Sequence, residues 1–205
     1  DVYKRQAKGW PIVVWAHGTT GVADICAPSK SSMDPDVKSM INELLSAGYV
    51  VVAPDYEGLG EPSGTEAHPY LNLKSEAFSI TDAVVATRDY LTKQGKSVSK
   101  NWVTVGHSQG GHAALGAGEY QSRAQLDYKG TVAIAPASNL KTIFQVGAAS
   151  VANLPATQQV ATYTSLNTYA ALITAGMQNP PNITLYGQVF ESEAVSYTHL
   201  RAHET

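Results

Sequence analysis

The sequence predicts an α/β fold: a parallel sheet with flanking helices and a helical segment after the fourth strand. Three observations predict it. Four short runs rich in Val, Ile and Ala close at His, Pro or Gly as strands do, and the first two read as strands buried on both faces. Stretches with apolar residues at helical spacing separate these runs, so strand and helix alternate as in a sheet with right-handed crossovers. After the fourth run the chain turns to Ala-, Thr- and Gln-rich sequence without strand character.

The first run is Pro11–Ala16, bounded by Gly9 and by His17-Gly18. A loop of Gly, Thr, Asp and Ser leads to Asp34-Pro35-Asp36, which supplies an N-cap, a first-turn proline and an acid for the helix dipole. Val37, Met40, Ile41, Leu44 and Leu45 then mark one helical face, and Gly48 ends it. Tyr49–Ala53 is the second buried-type strand, closed by Pro54 and followed by turn residues from Asp55 to Gly64. A helix is expected from about Lys74 to Lys93, with Ala77, Ile80, Val84, Thr87 and Leu91 on its stripe, Phe78 and Val85 beside it, and Gly95 as its cap. Asn101–Val105 is the third strand, and the helix after it runs to about Arg123. Thr131–Ala135 is the fourth, closed by Pro136. From Ser138 onward short helices are expected, broken by Gly147, Pro155 and the stretch Gly176–Pro181.

With 205 residues, 43% apolar and 15% charged, the chain suits one globular domain with a sizeable core. A net charge of −3 with interspersed signs offers no basic stripe for nucleic acid and no polybasic membrane anchor. No stretch is long and apolar enough to span a bilayer. Both ends read as translated adapter DNA from a sequencing library: residues 1–6, Asp-Val-Tyr-Lys-Arg-Gln, and residues 195–205. The expected organisation is therefore a partial core over 7–137 and a helical cap or lid over 138–194. This also removes His199 and His203 as catalytic candidates.

The chemistry concentrates at Gly106-His107-Ser108-Gln109-Gly110, between the third strand and a helix of small residues. This G-x-S-x-G pattern in a strand-turn-helix context is a nucleophile elbow, and it makes Ser108 the candidate nucleophile. An acyl-transferring serine also needs a base, an acid to orient that base, and donors for the oxyanion. The backbone N–H of Gln109, next after the serine, is one expected donor. The loop His17-Gly18-Thr19-Thr20-Gly21 supplies the other, with Thr19 favoured and Thr20 as alternate; the competing reading of that loop is a plain tight turn.

The acid and base are harder to find. In this arrangement they follow the serine in chain order. Between Ser108 and the terminal tail the only histidine is His112, one helical turn on. His107 and His112 read as packing or supporting residues, and His68 as a loop residue near the pocket. Asp55 reads as a turn-closing acceptor, Asp127 lies on the wrong edge of the sheet, and Asp82, Arg88 and Asp89 read as a solvated helix face. The triad acid and base are accordingly expected beyond Ala194. Cys26, the single cysteine, has no metal-ligand spacing and is open to two readings, a free buried thiol or half of a disulfide with a residue outside this chain. Asn182-Ile183-Thr184 is a formal glycosylation sequon.

Taken together, Trp15–Gly21, Cys26-Ala27-Pro28-Ser29, Ala53–Gly60, His68-Pro69-Tyr70 and Gly106–His112 resemble the secretory lipase family of α/β-hydrolases. The resemblance covers roughly residues 10–140. It implies an extracellular serine esterase acting on acylglycerols or related esters, with Ser108 as nucleophile, a helical lid, interfacial contact with lipid, and no metal or organic cofactor. The alternatives with the same elbow are an acyltransferase, a serine peptidase, or a non-catalytic binding domain of this fold.

Overall fold

The computed structural model describes residues 9–61 and 64–178. The readings of residues 1–6 and 195–205, the sequon and the end of the 138–194 segment lie outside them. Strand β1 is Trp10–Ala16, helix α1 Pro35–Ser46, β2 Val50–Val52, α2 Leu73–Lys93, β3 Val98–His107, α3 Gln109–Glu119, β4 Asp127–Ile134, α4 Leu140–Val151 and α5 Ala156–Gly176. Short 3-10 turns occupy Asp24–Cys26, Pro28–Lys30 and Gln121–Ala124.

The strands form one parallel sheet in the order β2-β1-β3-β4. From β1 the chain moves outward to β2, then crosses back over β1 to reach β3 and β4. With right-handed crossovers this reversal places α1 on one face of the sheet and α2 and α3 together on the other. It also makes the gap between the carboxyl ends of β1 and β3 a switch point, where such sheets open a crevice. At that edge Ala16 pairs with Gly106, and Gly106 with Ala133, so the backbone carries little bulk around the elbow.

The core forms as the patterns predict. Ile12, Val13, Val14, Trp15 and Ala16 are all buried, which fits a central strand covered on both faces. Ile80, Val84, Trp102, Ala113 and Ala117 pack over one face, and each large apolar side chain so buried contributes about 1.5–3 kcal/mol. The N-cap expected at Asp34 forms, and Asn72, not marked in the sequence, caps α2. Asp34 accepts from the N–H groups of Asp36 (2.9 Å) and Val37 (3.2 Å) at the start of α1. Asn72 accepts from Ser75 N–H at 3.1 Å at the start of α2.

Several expectations are corrected. β2 is half-buried rather than buried on both faces, because it is an edge of the described sheet. No residue of α1 is fully buried, and Leu45 is exposed, since that helix lies over the edge. Val85 is exposed, one position off the buried stripe of α2. The helix after the elbow stops at Glu119 and tightens into a 3-10 turn before Arg123. The segment after β4 holds two helices, and α5 runs for 21 residues, where shorter pieces were expected. Gly147 lies inside α4 and does not break it; a Cβ there would sit 3.9 Å from Leu166, so its small size serves helix contact. Among the described residues no helix is long and apolar enough to cross a membrane.

Candidate active site

Ser108 stands at the tip of β3 with φ +57° and ψ −118°, a conformation that costs a non-glycine residue about 1–3 kcal/mol. The surroundings hold it there. Its N–H donates to Ile134 O at 2.9 Å, and its carbonyl accepts from the N–H groups of His112 (3.1 Å) and Ala137 (3.2 Å). Although Ser108 is the N-cap residue of α3, its side chain makes no capping bond, so the hydroxyl is left for other chemistry. The bracketing glycines are sterically required. A Cβ on Gly106 would lie 2.0 Å from Gly110 O, and one on Gly110 would lie 1.9 Å from Ala16 O.

The loop after β1 lies alongside. A Cβ on Gly18 would approach His107 O at 3.3 Å and Ser108 Cβ at 3.8 Å, so the backbone leading into Thr19 runs directly past the serine. Thr19 Oγ1 is 2.8 Å from the hydroxyl of Tyr70. Gln109 begins α3, and its side chain is buried. The three residues singled out in the sequence thus gather at the carboxyl edge of β1 and β3.

Beneath them lies a buried polar network that joins α2 to α3. Gln109 Nε2 donates to Glu76 Oε1 at 2.9 Å and contacts His68 Nε2 at 3.0 Å. The other Glu76 oxygen is 2.7 Å from His112 Nδ1. Glu76 is wholly buried, so both its oxygens must find partners inside the protein, and α3 provides them. His68 Nδ1 is 2.7 Å from Glu57 O; a ring nitrogen facing a carbonyl must carry the proton there, which leaves Nε2 as an acceptor for the Gln109 amide. Burial pulls the pKa of His68 below its ordinary value, in keeping with a neutral ring.

His17 stacks on Tyr56 with ring centroids 4.2 Å apart, and its Nδ1 is 2.7 Å from Gly18 O. Burial lowers its pKa as well. Tyr56 donates to His17 O at 2.9 Å, fixing the exit of β1. Asp55 accepts from Ser29 N–H at 3.1 Å and from Ser29 Oγ at 2.5 Å; it thus ties its loop to the one after β1, 26 residues upstream, where closure of its own turn was expected. Asp82 pairs with Arg123 and Asp89 with Lys93 on the exposed side of α2, while Arg88 is half-buried, contrary to its expected place on that solvated face.

No histidine of the described residues hydrogen-bonds Ser108: His17, His68 and His112 are engaged elsewhere, and His107 is exposed. Nor do the described residues contain a group of three His, Cys, Asp or Glu placed to hold a metal. The sequence patterns do not single out Glu76 or the Gln109 side chain. One signal was present: Glu76, Ile80 and Val84 fall on one stripe of α2, and an acid at such a position must be paired inside.

A family model described as "Alpha/beta hydrolase family" matches residues 13–203. The chain belongs to that family. Solved structures agree on the fold. The rice cell wall degrading esterase LipA from Xanthomonas oryzae is 26% identical, over 92% of this chain and 48% of its own, with a TM-score of 0.64. A provisionally assigned hydrolase from Legionella pneumophila is 18% identical, over 96% and 50%, with a TM-score of 0.70. Candida antarctica lipase A in its closed state is 16% identical, over 92% and 42%, with a TM-score of 0.68. The chain therefore spans about half the length of these structures or less. No curated protein matches it.

Proposed function

We propose that this α/β-hydrolase chain carries the nucleophile and oxyanion hole of a serine carboxylic-ester hydrolase of lipase type, acting on acylglycerols or related esters. The observation that carries the reading is the strained Ser108 backbone, at the switch point of the sheet and with its hydroxyl unused by the helix cap. Ser108 Oγ attacks the ester carbonyl carbon while its proton passes to a histidine base. The carbonyl oxygen, now negative, is met by the N–H groups of Gln109 and Thr19. Collapse of the tetrahedral intermediate expels the alcohol, which takes that proton, and leaves an acyl-enzyme that water hydrolyses by the reverse proton path.

In this reading the base and its orienting acid come from sequence beyond Ala194; what supports it is that no histidine of the described residues engages Ser108. The described part of the segment after β4, residues 138–178, acts as a cap over the crevice; the support is Gly176 of α5, where a Cβ would lie 2.5 Å from Tyr70 N, beside the Thr19 loop. Secretion and contact with a lipid surface belong to the same reading.

The test uses the full-length gene product. Hydrolysis of p-nitrophenyl esters, lost in Ser108→Ala with the fold intact, is the expected result; equal turnover by that variant sinks the proposal. The 205-residue chain alone should show no turnover. Turnover by it that depends on Ser108 would mean that the base lies within the chain after all.

A further inference from the structure

The two expected oxyanion donors come from different segments, Thr19 from the loop after β1 and Gln109 from the first turn of α3. Donors aimed at a developing charge are useful only if their spacing is fixed before reaction. One short stretch touches both segments. We propose that the strap His68-Pro69-Tyr70 is a positioning element for the oxyanion hole, holding the Thr19 loop through the Tyr70 hydroxyl and the Gln109 side chain through the His68 ring. This rests on the reading of Ser108 as nucleophile.

Tyr70 is 5% exposed, and its hydroxyl is 2.8 Å from Thr19 Oγ1. Burial pushes the phenol up to about pKa 12, so the hydroxyl remains protonated and available to donate at any working pH. At the other end, His68 is 1% exposed and its Nε2 accepts from Gln109. The second hydrogen of the Gln109 amide goes to Glu76, so both its N–H donors are committed, while its Oε1 is buried without a hydrogen-bond partner. The rings of His68 and Tyr70 meet edge to face at 6.1 Å, and Tyr56 stacks against His68 at 6.0 Å. The strap is thus a stiff bridge.

The backbone around it is held as firmly. Tyr70 N–H donates to His68 O at 2.8 Å, and Leu71 takes a left-handed φ of +58°. Gly176 of α5 lies against the Tyr70 backbone, so the strap is covered as well as bonded. Apolar packing alone would explain a buried Tyr and His. It would not explain why both polar ends of the strap terminate on the two donor-bearing segments.

The test is steady-state kinetics on the full-length enzyme with a p-nitrophenyl ester. Tyr70→Phe removes one oxygen and preserves the ring. It should lower kcat about tenfold, against the 10²–10³ typical of losing a donor outright, with KM within about twofold. Thr19→Val, which keeps the backbone N–H and loses the hydroxyl, should give the same loss. The double variant should be no worse than either single, because both delete one bond, and Thr19→Ser should restore kcat. His68→Phe, which keeps a ring but accepts nothing, should again depress kcat rather than raise KM. Normal kcat in folded Tyr70→Phe, or fully additive losses in the double variant, overturns the strap while leaving Ser108 as nucleophile. A parent enzyme without Ser108-dependent turnover overturns both.

Discussion

At Ser108 a single residue carries two opposed demands. Its φ of +57° with ψ −118° suits glycine, yet the chemistry needs a hydroxyl there. Ser108→Gly should therefore raise the stability of the chain by about 1 kcal/mol while removing the nucleophile. Thermal unfolding checks this, and an unchanged or lowered midpoint would mean that the elbow is not strained. The buried histidines make a second prediction. His17 and His68 both have folded pKa values lowered from 6.5 by burial. Between the unfolded value and the lower folded ones, the unfolded state binds more protons. Stability is then full above about pH 6.5 and falls as pH drops through that value toward the folded pKa values. Urea midpoints should decline from pH 7.5 to pH 5.5, and the decline should be shallower in His68→Phe.

Among elements, the elbow was legible because its signal is local. Glycines two before and two after a serine, between a β-branched run and a small-residue helix, describe one turn that needs no distant partner. The structure adds the reason: the missing Cβ atoms of Gly106 and Gly110 leave room for the backbones of α3 and β1. Gly110→Ala should cost about 3 kcal/mol, since its Cβ would meet the carbonyl of Ala16, which cannot move without shifting β1. Gly95→Ala, at φ +72° with open space around it, should cost only about 1–2 kcal/mol from backbone strain. Similar losses at the two sites would contradict the packing account. The supporting network was not legible. Glu76 in the first turn of α2 looks like an acid answering the helix dipole, and its real partners, Gln109 and His112, are more than thirty residues away. Gln109, next after the serine, shows only its backbone N–H as a function in the sequence, and only the fold reveals that its side chain ties α3 to α2.

For the molecule as a whole, the number and direction of the strands were readable from alternation, but their spatial order was not, because pairing is set by contacts distant in sequence. That order decides which strands are edges, and hence why β2 is half-buried although its Val50-Val51-Val52 looks like a central strand. At the other side of the described sheet β4 pairs with β3 alone, and its Val132 and Ile134 are 53% and 47% exposed. An apolar edge strand with unpaired backbone groups is a template for another strand. Another copy of the chain can supply such a strand. Light scattering on the purified chain should therefore show species larger than a monomer, growing with concentration. Val132→Lys puts a charge at this edge without touching the elbow, and it should shift the population toward monomer while leaving the far-ultraviolet circular dichroism unchanged. A chain that is monomeric throughout, or a variant that associates as readily as its parent, would show that β4 is not the sticking edge.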